Sequence, residues 1–502
     1  MAGLAAALGL GELIAATVDL RSSPLVAVDG VVIDRIPEGG KDFAIRLFGT
    51  NDKLALQVGT IVLLVVIVGG LGIVARARRW VGLAMFGVLG VVAIAAAVTR
   101  AGATPVWALP GLVAAGGGAA LQAWLLHQLD SFEPLDGVAA GSGDWRYEDG
   151  SRRRFLWISG LAVVGGAVGG YIIRTFAQIS SVEDARNQVA LELPTPSGGP
   201  APAVPGSDVV DLQYVTPNKD FYRIDTAIVP PRVDPSSWQL TIGGRVGKPL
   251  RLTFQDLLAR PMVERYITLT CVSNEVGGPL IGNARWLGVP IADLLDEVDP
   301  DPEADQVVSF SVDGFTAGTP TAALRDGRDA LLAVAMNGEP LPVDHGFPVR
   351  MVVPGLYGYV SATKWVSQMQ LTTFGDYDAY WIPRGWAKQA PIKTESRIDR
   401  PRDGDRISAG DYVVAGVAWA QHRGISAVQV RVDGGPWQDA TIANVASVDT
   451  WRLWSWHWSA PAGRHTLEVR AADNAGVFQT DRQAPPAPDG ASGYHQIGLA
   501  VN

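Results

Sequence analysis

The chain has 502 residues, of which 18% are charged and 48% hydrophobic, and it carries a formal net charge of −9, six histidines and one cysteine. An acidic chain without an extended basic patch is unsuited to binding a nucleic-acid backbone. A single cysteine excludes an intrachain disulfide and any metal site built from several cysteines. The length is sufficient for a membrane region and two or three folded domains.

The first third of the chain contains long runs without charged residues. A membrane-crossing helix needs about 20 apolar residues, and four segments approach or exceed that length: Leu54–Ala75, Trp80–Thr99, Ala101–Leu126 and Phe155–Ile173. Ala2–Val18 is a fifth, shorter candidate that contains Glu12, and it lacks the basic start of a cleaved signal peptide. We therefore predict an α-helical membrane bundle of about five transmembrane helices within residues 1–178.

Arginines flank these segments and predict a topology. Arg76, Arg78 and Arg79 follow the span Leu54–Ala75, which is the second when Ala2–Val18 is counted, and Arg152–Arg154 precede the span Phe155–Ile173. Positive residues concentrate on the cytoplasmic side, so five spans place the remainder of the chain outside a bacterial cytoplasmic membrane. The run from Ser151 to Leu156 also resembles a twin-arginine export signal, although it is internal, and the alternative is a plain membrane anchor.

Composition predicts three further segments. Residues 179–208 form a linker, because Pro194–Pro202 is too rich in proline and glycine for regular structure. Residues 209–391 mix β-rich runs such as Tyr266–Thr270 with helical stretches such as Ile291–Glu297, which indicates an α+β domain. Residues 392–502 contain recurring strands and turn signals such as Asp433-Gly434-Gly435, typical of an all-β immunoglobulin-like sandwich.

Cys271 follows the strand-like run Tyr266–Thr270 and precedes polar turn residues. An isolated cysteine is often a small buried core residue. At the end of a strand, however, its thiol is placed where it could meet a metal or a substrate as one thiolate ligand or nucleophile.

Several motifs around this cysteine resemble the sulfite oxidase family of molybdopterin-dependent oxidoreductases: Arg285–Val289, Leu341–Gly355 with its central Asp344–Arg350 string, and Lys364-Trp365. The similarity extends over about residues 209–500, because parts of the carboxy-terminal region resemble the family's dimerisation domain: Ile407–Ala418, Val428–Trp437 and Trp451–Ala462. The membrane region resembles an actinobacterial-type anchored variant.

The resemblance implies a molybdenum-molybdopterin cofactor in which Cys271 is the protein ligand of molybdenum. Soft sulfur ligands suit such a metal. His345, Arg350 and Lys364 match positions that hold the pterin and its phosphate, where a guanidinium binds bidentately and an ammonium acts as a point charge.

Other site residues follow from the same resemblance. Arg223 matches an arginine near the metal that clamps an anionic substrate, and Asp225 replaces a histidine that touches the cofactor. Asn218 and Tyr222 are candidates for lining the pocket, and Asn274 follows the cysteine as it does in the family. Tyr377 and Tyr380 both lie where the family has a tyrosine near the metal, and the alternative for both is packing beside Trp381.

The family's basic residues after the asparagine are replaced here by Glu275, whose carboxylate would repel sulfite unless it is turned away or paired. The resemblance therefore implies a membrane-anchored enzyme that performs oxygen-atom or two-electron transfer on a small molecule. The alternatives are an S- or N-oxide reductase of the same superfamily and a cofactor-free binding or structural protein.

Partners are predicted largely by elimination. His127 is the only histidine in the membrane region, so this chain cannot supply paired axial ligands for an intramembrane haem. We therefore expect no haem in the chain, and electron exchange with another protein or a quinone. Homodimerisation through residues 392–502 is implied by the family alone.

Overall fold

The computed structural model describes residues 2–36, 47, 52–130, 157 and 183–502. The chain divides into two compact units. The first comprises Met1–Glu183 with Ala227–Pro231, and the second comprises Asp184–Thr226 with Arg232–Asn502. Each unit is described separately below.

The described part of the first unit is helical, with five α-helices: α1 (Ala2–Val18), α2 (Pro24–Arg35), α3 (Asp52–Ala77), α4 (Arg79–Val98) and α5 (Leu109–Asp130). Among the described residues, three segments are long and apolar enough to cross a membrane: Lys53–Ala75, Arg79–Val98 and Pro105–His127. They correspond to three of the predicted spans and support membrane association. Ala2–Val18 is helical but shorter, and the predicted span Phe155–Ile173 lies, apart from Trp157, outside the described residues.

Helix α2 was not predicted as an element, because its polar residues interrupt the apolar pattern. Asp29 and Asp34 both lie in it, and Ser23 caps its start by accepting a hydrogen bond from the backbone N–H of Val26 at 3.4 Å. Pro24 at the first helical position is well suited to a helix start, because its missing N–H would have no helical partner there.

The second unit begins inside the predicted linker, which is more ordered than its composition suggests. Residues 183–192 form helix α6. The proline- and glycine-rich stretch after it has no regular structure, but Ser197 N donates to Met262 O at 2.6 Å and Ala201 N donates to a Glu264 carboxylate oxygen at 2.8 Å. The segment is therefore held along the domain by hydrogen bonds rather than acting as a free spacer.

The α+β part of the second unit contains two five-stranded sheets, the first mixed and the second antiparallel. The first has the order β2-β1-β10-β5-β6, where β1 is Gln239–Gly244, β2 Leu250–Thr253, β5 Gln306–Ser311, β6 Thr316–Pro320 and β10 Val366–Thr372. The second has the order β3-β4-β7-β8 with β9 also paired to β7, where β3 is Val263–Thr270, β4 Ile281–Pro290, β7 Leu331–Met336, β8 Glu339–Pro340 and β9 Arg350–Val352. The helices are short: α7 (Phe254–Leu258), α8 (Ile291–Val298) and α9 (Gly358–Ser361).

The core of this part is strongly apolar. Strand β7 is fully buried, and Trp286 on β4 is 0% exposed with its indole N–H donating to Ile267 O at 3.0 Å. Because β3 pairs with β4 along its whole length, from Val263 opposite Gly288 to Thr270 opposite Ile281, the position of the residue after β3 is fixed. That residue is Cys271.

The carboxy-terminal part is β-rich, as expected, and contains two sheets. One has the order β11-β13-β17-β16 and the other β12-β19-β18-β14-β15. Their strands are β11 (Glu395–Arg400), β12 (Arg406–Ile407), β13 (Gly410–Trp419), β14 (Ile425–Val432), β15 (Gln438–Asp439), β16 (Thr441–Ile442), β17 (Arg452–Ala460), β18 (Gly463–Asp473) and β19 (His495–Val501). The two sheets share one buried core that includes Val414, Trp454 and Val469.

Candidate active site

A pocket with a cavity volume of about 130 Å³ lies in the second unit, and Cys271 lines it. Two groups of side chains make up much of its lining. We call the first the polar cluster: Tyr222, Asp225, Cys271, His345, Arg350 and Lys364. We call the second the aromatic cluster: Phe315, Tyr359, Trp381 and Trp386.

Cys271 is held by backbone hydrogen bonds at the end of β3. Its N–H donates to Leu280 O at 3.0 Å, and its carbonyl accepts from Asn274 N at 3.1 Å. Burial raises the pKa of the Cys271 thiol, and hydrogen bonds with Ser273 partly offset that rise. A thiolate at this position would therefore need a positive partner such as a metal ion.

Asn274 stabilises the turn after the cysteine. Its side-chain oxygen accepts from Leu280 N at 2.8 Å, while its buried side-chain nitrogen has no hydrogen-bond partner among the described residues. Asn274 does not line the pocket. Glu275 is exposed and lines a separate groove instead of the pocket, so its carboxylate is turned away.

Arg350, at the start of β9, is a buried cation without a carboxylate. Among the described residues its guanidinium donates only to backbone carbonyls: those of His345 at 3.1 Å, Ala362 at 3.4 Å and Met351 at 3.4 Å. It lies over the Trp286 ring, 5.1 Å from the ring centroid. No ion pair joins it to an acidic residue in the described part of the chain. Burial lowers the pKa of Arg350 to about 10. A buried cation without an anion is costly, so the site is suited to an anionic ligand.

Gly346 explains why the motif has a glycine after the histidine. Its φ is +108°, and a Cβ there would lie 3.0 Å from the Cβ of Arg350 and 3.1 Å from the Cβ of Lys364. A larger residue would be strained and would push apart the two cations. The glycine therefore lets Arg350 and Lys364 line one pocket.

His345 is held in its neutral form. Its ring Nε2 lies 3.2 Å from Asn218 O, and burial, followed by the charges of Arg350 and Lys364, lowers the pKa of His345 to about 4. A neutral ring that donates through Nε2 has its Nδ1 as an acceptor. Asn218 thus acts through its carbonyl, while its side chain bonds Asn337, Met336 O and Glu339 away from the pocket.

Lys364 and Asp225 form a buried ion pair, with the ammonium nitrogen 2.6 Å from the carboxylate. Burial lowers the pKa of Lys364 to about 8, although Asp225 acts in the opposite direction. Arg223 also pairs with Asp225, at 3.0 Å, and with Asp344, at 3.2 Å. Arg223 does not line the pocket. Two carboxylates therefore hold its guanidinium beside the pocket, and its role as a clamp for an anionic substrate stays a prediction.

Tyr222 lines the pocket and stacks on Phe221 with ring centroids 5.3 Å apart. Burial, followed by the nearby Cys271, raises its pKa, and Arg350 lowers it. Its hydroxyl therefore stays protonated at neutral pH and can donate a hydrogen bond. Tyr222 is the candidate tyrosine that the structure places beside Cys271 and Arg350.

Neither Tyr377 nor Tyr380 lines the pocket. Tyr377 packs against Phe310 with ring centroids 6.0 Å apart. The ring centroid of Tyr380 lies 5.8 Å from that of Phe315 and 5.2 Å from that of Trp381, two residues that line the pocket. Both tyrosines thus pack against aromatic rings, and a role for either near the metal stays a prediction.

The aromatic cluster was missed from the sequence. The ring centroid of Trp386 lies 6.3 Å from that of Trp381 and 5.8 Å from that of Tyr359. The Tyr359 hydroxyl donates to Ala387 O at 2.6 Å. All members of the cluster are half-buried. The signal in the sequence was the density of aromatic residues from Tyr380 to Trp386, which is equally typical of ordinary packing.

The residues present fit a molybdopterin cofactor. Among the described residues, no group of three or more histidine, cysteine or acidic side chains could hold a metal ion, so a metal here would depend on ligands from a cofactor together with Cys271. The unpaired Arg350 guanidinium is suited to the cofactor's phosphate. The neutral His345 offers an acceptor at Nδ1 for polar groups of the pterin.

Comparison with known proteins identifies the class. The family model for the oxidoreductase molybdopterin binding domain matches residues 226–381, a range that contains Cys271, His345, Arg350 and Lys364. The fold resembles the crystal structure of the sulfane dehydrogenase SoxCD from Paracoccus pantotrophus, with a TM-score of 0.51 and 23% identity over 60% of this chain and 88% of that chain. The second unit is thus of the molybdopterin-dependent oxidoreductase class, and molybdopterin is the implied cofactor.

Sequence relatives define the family. The chain is 31% identical to human mitochondrial sulfite oxidase over 335 residues, which are 57% of this chain and 61% of the relative. It is 34% identical over 176 residues to the uncharacterized oxidoreductase YuiH of Bacillus subtilis, covering 34% of this chain and 85% of the relative. The chain belongs to the sulfite oxidase family of molybdopterin oxidoreductases.

Proposed function

We propose that the chain is a membrane-anchored molybdopterin oxidoreductase in which Cys271 is the protein ligand of molybdenum. The observation that carries this proposal is the polar cluster: the one thiol of the chain lines the same pocket as a buried, unpaired guanidinium. A structural cysteine would not need an unpaired buried cation nearby. The same observation argues against a cofactor-free scaffold, because an empty site would leave Arg350 without an anion.

The bound cofactor supplies two-electron redox chemistry and oxygen-atom exchange. The protein residues bind and orient. Arg350 and Lys364 hold the anionic groups of the cofactor, and Asp225 fixes the Lys364 ammonium. Tyr222, protonated and buried, donates a hydrogen bond to an oxygen in the pocket. Burial of the cluster excludes bulk water, which strengthens these polar interactions.

The two possible directions of the reaction differ in what they consume and release. Oxidation of a substrate by one oxygen atom derived from water releases two electrons and two protons, and reduction of an oxide consumes them and forms water. One observation favours the reductive candidate, an S- or N-oxide reductase: Arg223 is held by two carboxylates and does not line the pocket. Sulfite, an anion, would lack the clamp that the family resemblance implies.

We further propose that the enzyme is anchored in a bacterial cytoplasmic membrane, with residues 209–502 on the outer side. Support comes from the three apolar helices and from the arginines after the second span. An outer location together with a complex cofactor fits export by the twin-arginine route. A redox protein or a quinone would exchange electrons with the site, and residues 392–502 would form an immunoglobulin-like dimerisation domain.

The test is molybdenum per chain in detergent-purified protein, comparing the parent with Cys271→Ser. The host must make the cofactor and export by the twin-arginine route, and parent protein from a host without the cofactor is the control. We expect near-stoichiometric metal in the parent and an altered metal spectrum in the variant. A folded parent without molybdenum would refute the cofactor, and an unchanged spectrum in Cys271→Ser would refute the ligand.

A further inference from the structure

The pocket lacks an uncommitted cation for a small anion. Arg350 and Lys364 are the only cationic side chains of the described residues that line it. Lys364 is paired with Asp225, and Arg350 is assigned to the cofactor. The carboxylates of Asp225 and Asp313 also line the pocket. With an anionic cofactor bound, the site would repel an inorganic oxyanion rather than attract it.

The aromatic cluster offers the opposite property, an apolar surface held in place. Trp386 packs against both Trp381 and Tyr359, with interplanar angles of 78° and 54°. The Tyr359 hydroxyl is anchored on Ala387 O, so ring positions are fixed before a ligand arrives. Half-buried rings that line a concave pocket are typical of sites for the apolar part of an organic ligand.

We propose that the substrate is an uncharged organic molecule whose apolar or aromatic group binds against Trp381 and Trp386. The inference rests on the proposed oxidoreductase function, because it concerns the molecule that reacts in the same pocket. It assigns Trp381 and Trp386 as specificity residues. It makes sulfite and other inorganic oxyanions poor ligands of this chain.

The test is equilibrium binding to the full-length, cofactor-loaded protein in detergent, without an electron donor so that no turnover occurs. The probe is methyl phenyl sulfoxide, and the competitors are sodium sulfite and sodium sulfate. We expect saturable binding that a tenfold excess of either salt leaves unchanged. Displacement of the probe by either anion at comparable concentration would overturn the proposal, as would absence of saturable binding.

Variants locate the site. Trp386→Ala should weaken probe binding by about tenfold, the typical cost of losing one aromatic contact of this kind, and Trp386→Phe should restore much of it. Trp437→Ala is the matched control, because Trp437 is a half-buried tryptophan that packs against Tyr494, Arg431 and Arg470 outside the pocket. Trp437→Ala should bind the probe with the same affinity as the parent.

Two outcomes separate this proposal from the oxidoreductase function. If Trp386→Ala binds the probe like the parent while molybdenum is present, only the substrate class is wrong. If Trp386→Ala loses molybdenum or pterin, while Trp437→Ala retains both, the rings hold the cofactor and the substrate proposal is overturned. Molybdenum content and the Cys271→Ser spectrum test the oxidoreductase function independently.

Discussion

The polar cluster and the aromatic cluster line one pocket but are organised in opposite ways. In the polar cluster, charged groups are held by specific partners, as Lys364 is by Asp225 at 2.6 Å, and among the described residues Arg350 is left without a carboxylate and is suited to an anion of the ligand. In the aromatic cluster, rings pack on rings with wide tolerance for what they contact. A set of paired charges selects one chemical group, whereas an apolar surface selects by shape and size. The difference suggests that cofactor binding and substrate choice are separable in this chain.

The largest effect that would sharpen this comparison is expected at Arg350. Arg350→Met should lower molybdenum per chain by at least about tenfold, because charge-assisted hydrogen bonds to a phosphate are lost. The cofactor-free form should be no less stable than the parent, since the variant removes a buried guanidinium that has no carboxylate partner. Metal analysis and thermal unfolding of the cofactor-free protein measure the two effects.

Controls distinguish binding from folding in that experiment. Arg350→Lys should retain an intermediate amount of metal, because it keeps the charge without the bidentate geometry. Arg260→Met is the control, because it removes an arginine outside the pocket that is paired with Glu297 at 2.8 Å, and it should retain the full molybdenum content of the parent. Full molybdenum in Arg350→Met would contradict the assignment of this residue to the cofactor.

Asp225 in the pocket and Glu395 outside it are both buried carboxyl groups, and they differ in whether a cation is paired with them. Asp225 is buried with two cationic partners, whereas Glu395, 3% exposed at the start of β11, has no ion pair in the described part of the chain. Burial raises the pKa of Glu395 from 4.5 to about 8, with Lys393 acting in the opposite direction. Between these values the folded state holds a proton that the unfolded state has released. Stability therefore falls as pH rises through this window and levels off above about 8.

Glu395→Gln should remove this contribution and flatten the pH dependence. The variant should be more stable than the parent near pH 8, by up to a few kcal/mol since each pKa unit corresponds to about 1.4 kcal/mol, and similar to it near pH 4.5. Denaturant midpoints of the full chain, followed by tryptophan fluorescence, measure the difference. The exposed Glu303 provides the matched control, Glu303→Gln. Parallel pH profiles for parent and Glu395→Gln would refute the assignment.

The polar cluster was predictable from sequence and the aromatic cluster was not. Cys271, His345, Arg350 and Lys364 stand in motifs that resemble the sulfite oxidase family, and that resemblance implied that they share one site. Trp381 and Trp386 carry chemistry that most aromatic residues use for packing, and only three-dimensional placement separates the two roles. Sequence was also insufficient at Arg223, because Asp344, one of the two carboxylates that hold it, is distant in sequence and could not be recognised as its partner.

Fold prediction shows the same division. Strand β14 was found because its alternating residues follow its burial. Strand β3 was found from the same alternation, although its last four residues are all buried. Helix α6 was not predicted, because the proline and glycine content averaged over residues 179–208 hides a helical stretch at one end of that segment. The local sequence pattern indicates secondary structure, whereas a contact between distant residues, such as that of Ala201 with Glu264, is set by the tertiary fold and cannot be predicted from it.

The smallest effect is expected at Arg223, and it bears directly on the choice between an anionic and an uncharged substrate. Its side chain is 36% exposed and held by Asp225 and Asp344. The Arg223–Asp344 pair is exposed and contributes about 0–1 kcal/mol, and the buried Asp225 keeps Lys364 as a cationic partner in the variant. Arg223→Gln should therefore change stability and molybdenum content little. For an uncharged substrate KM should also change by less than about threefold, whereas a clamp on an anion would give a large rise in KM. Arg245→Gln, another arginine paired with several carboxylates at the surface, is the matched control. A rise in KM confined to Arg223→Gln would return Arg223 to the substrate site and favour sulfite.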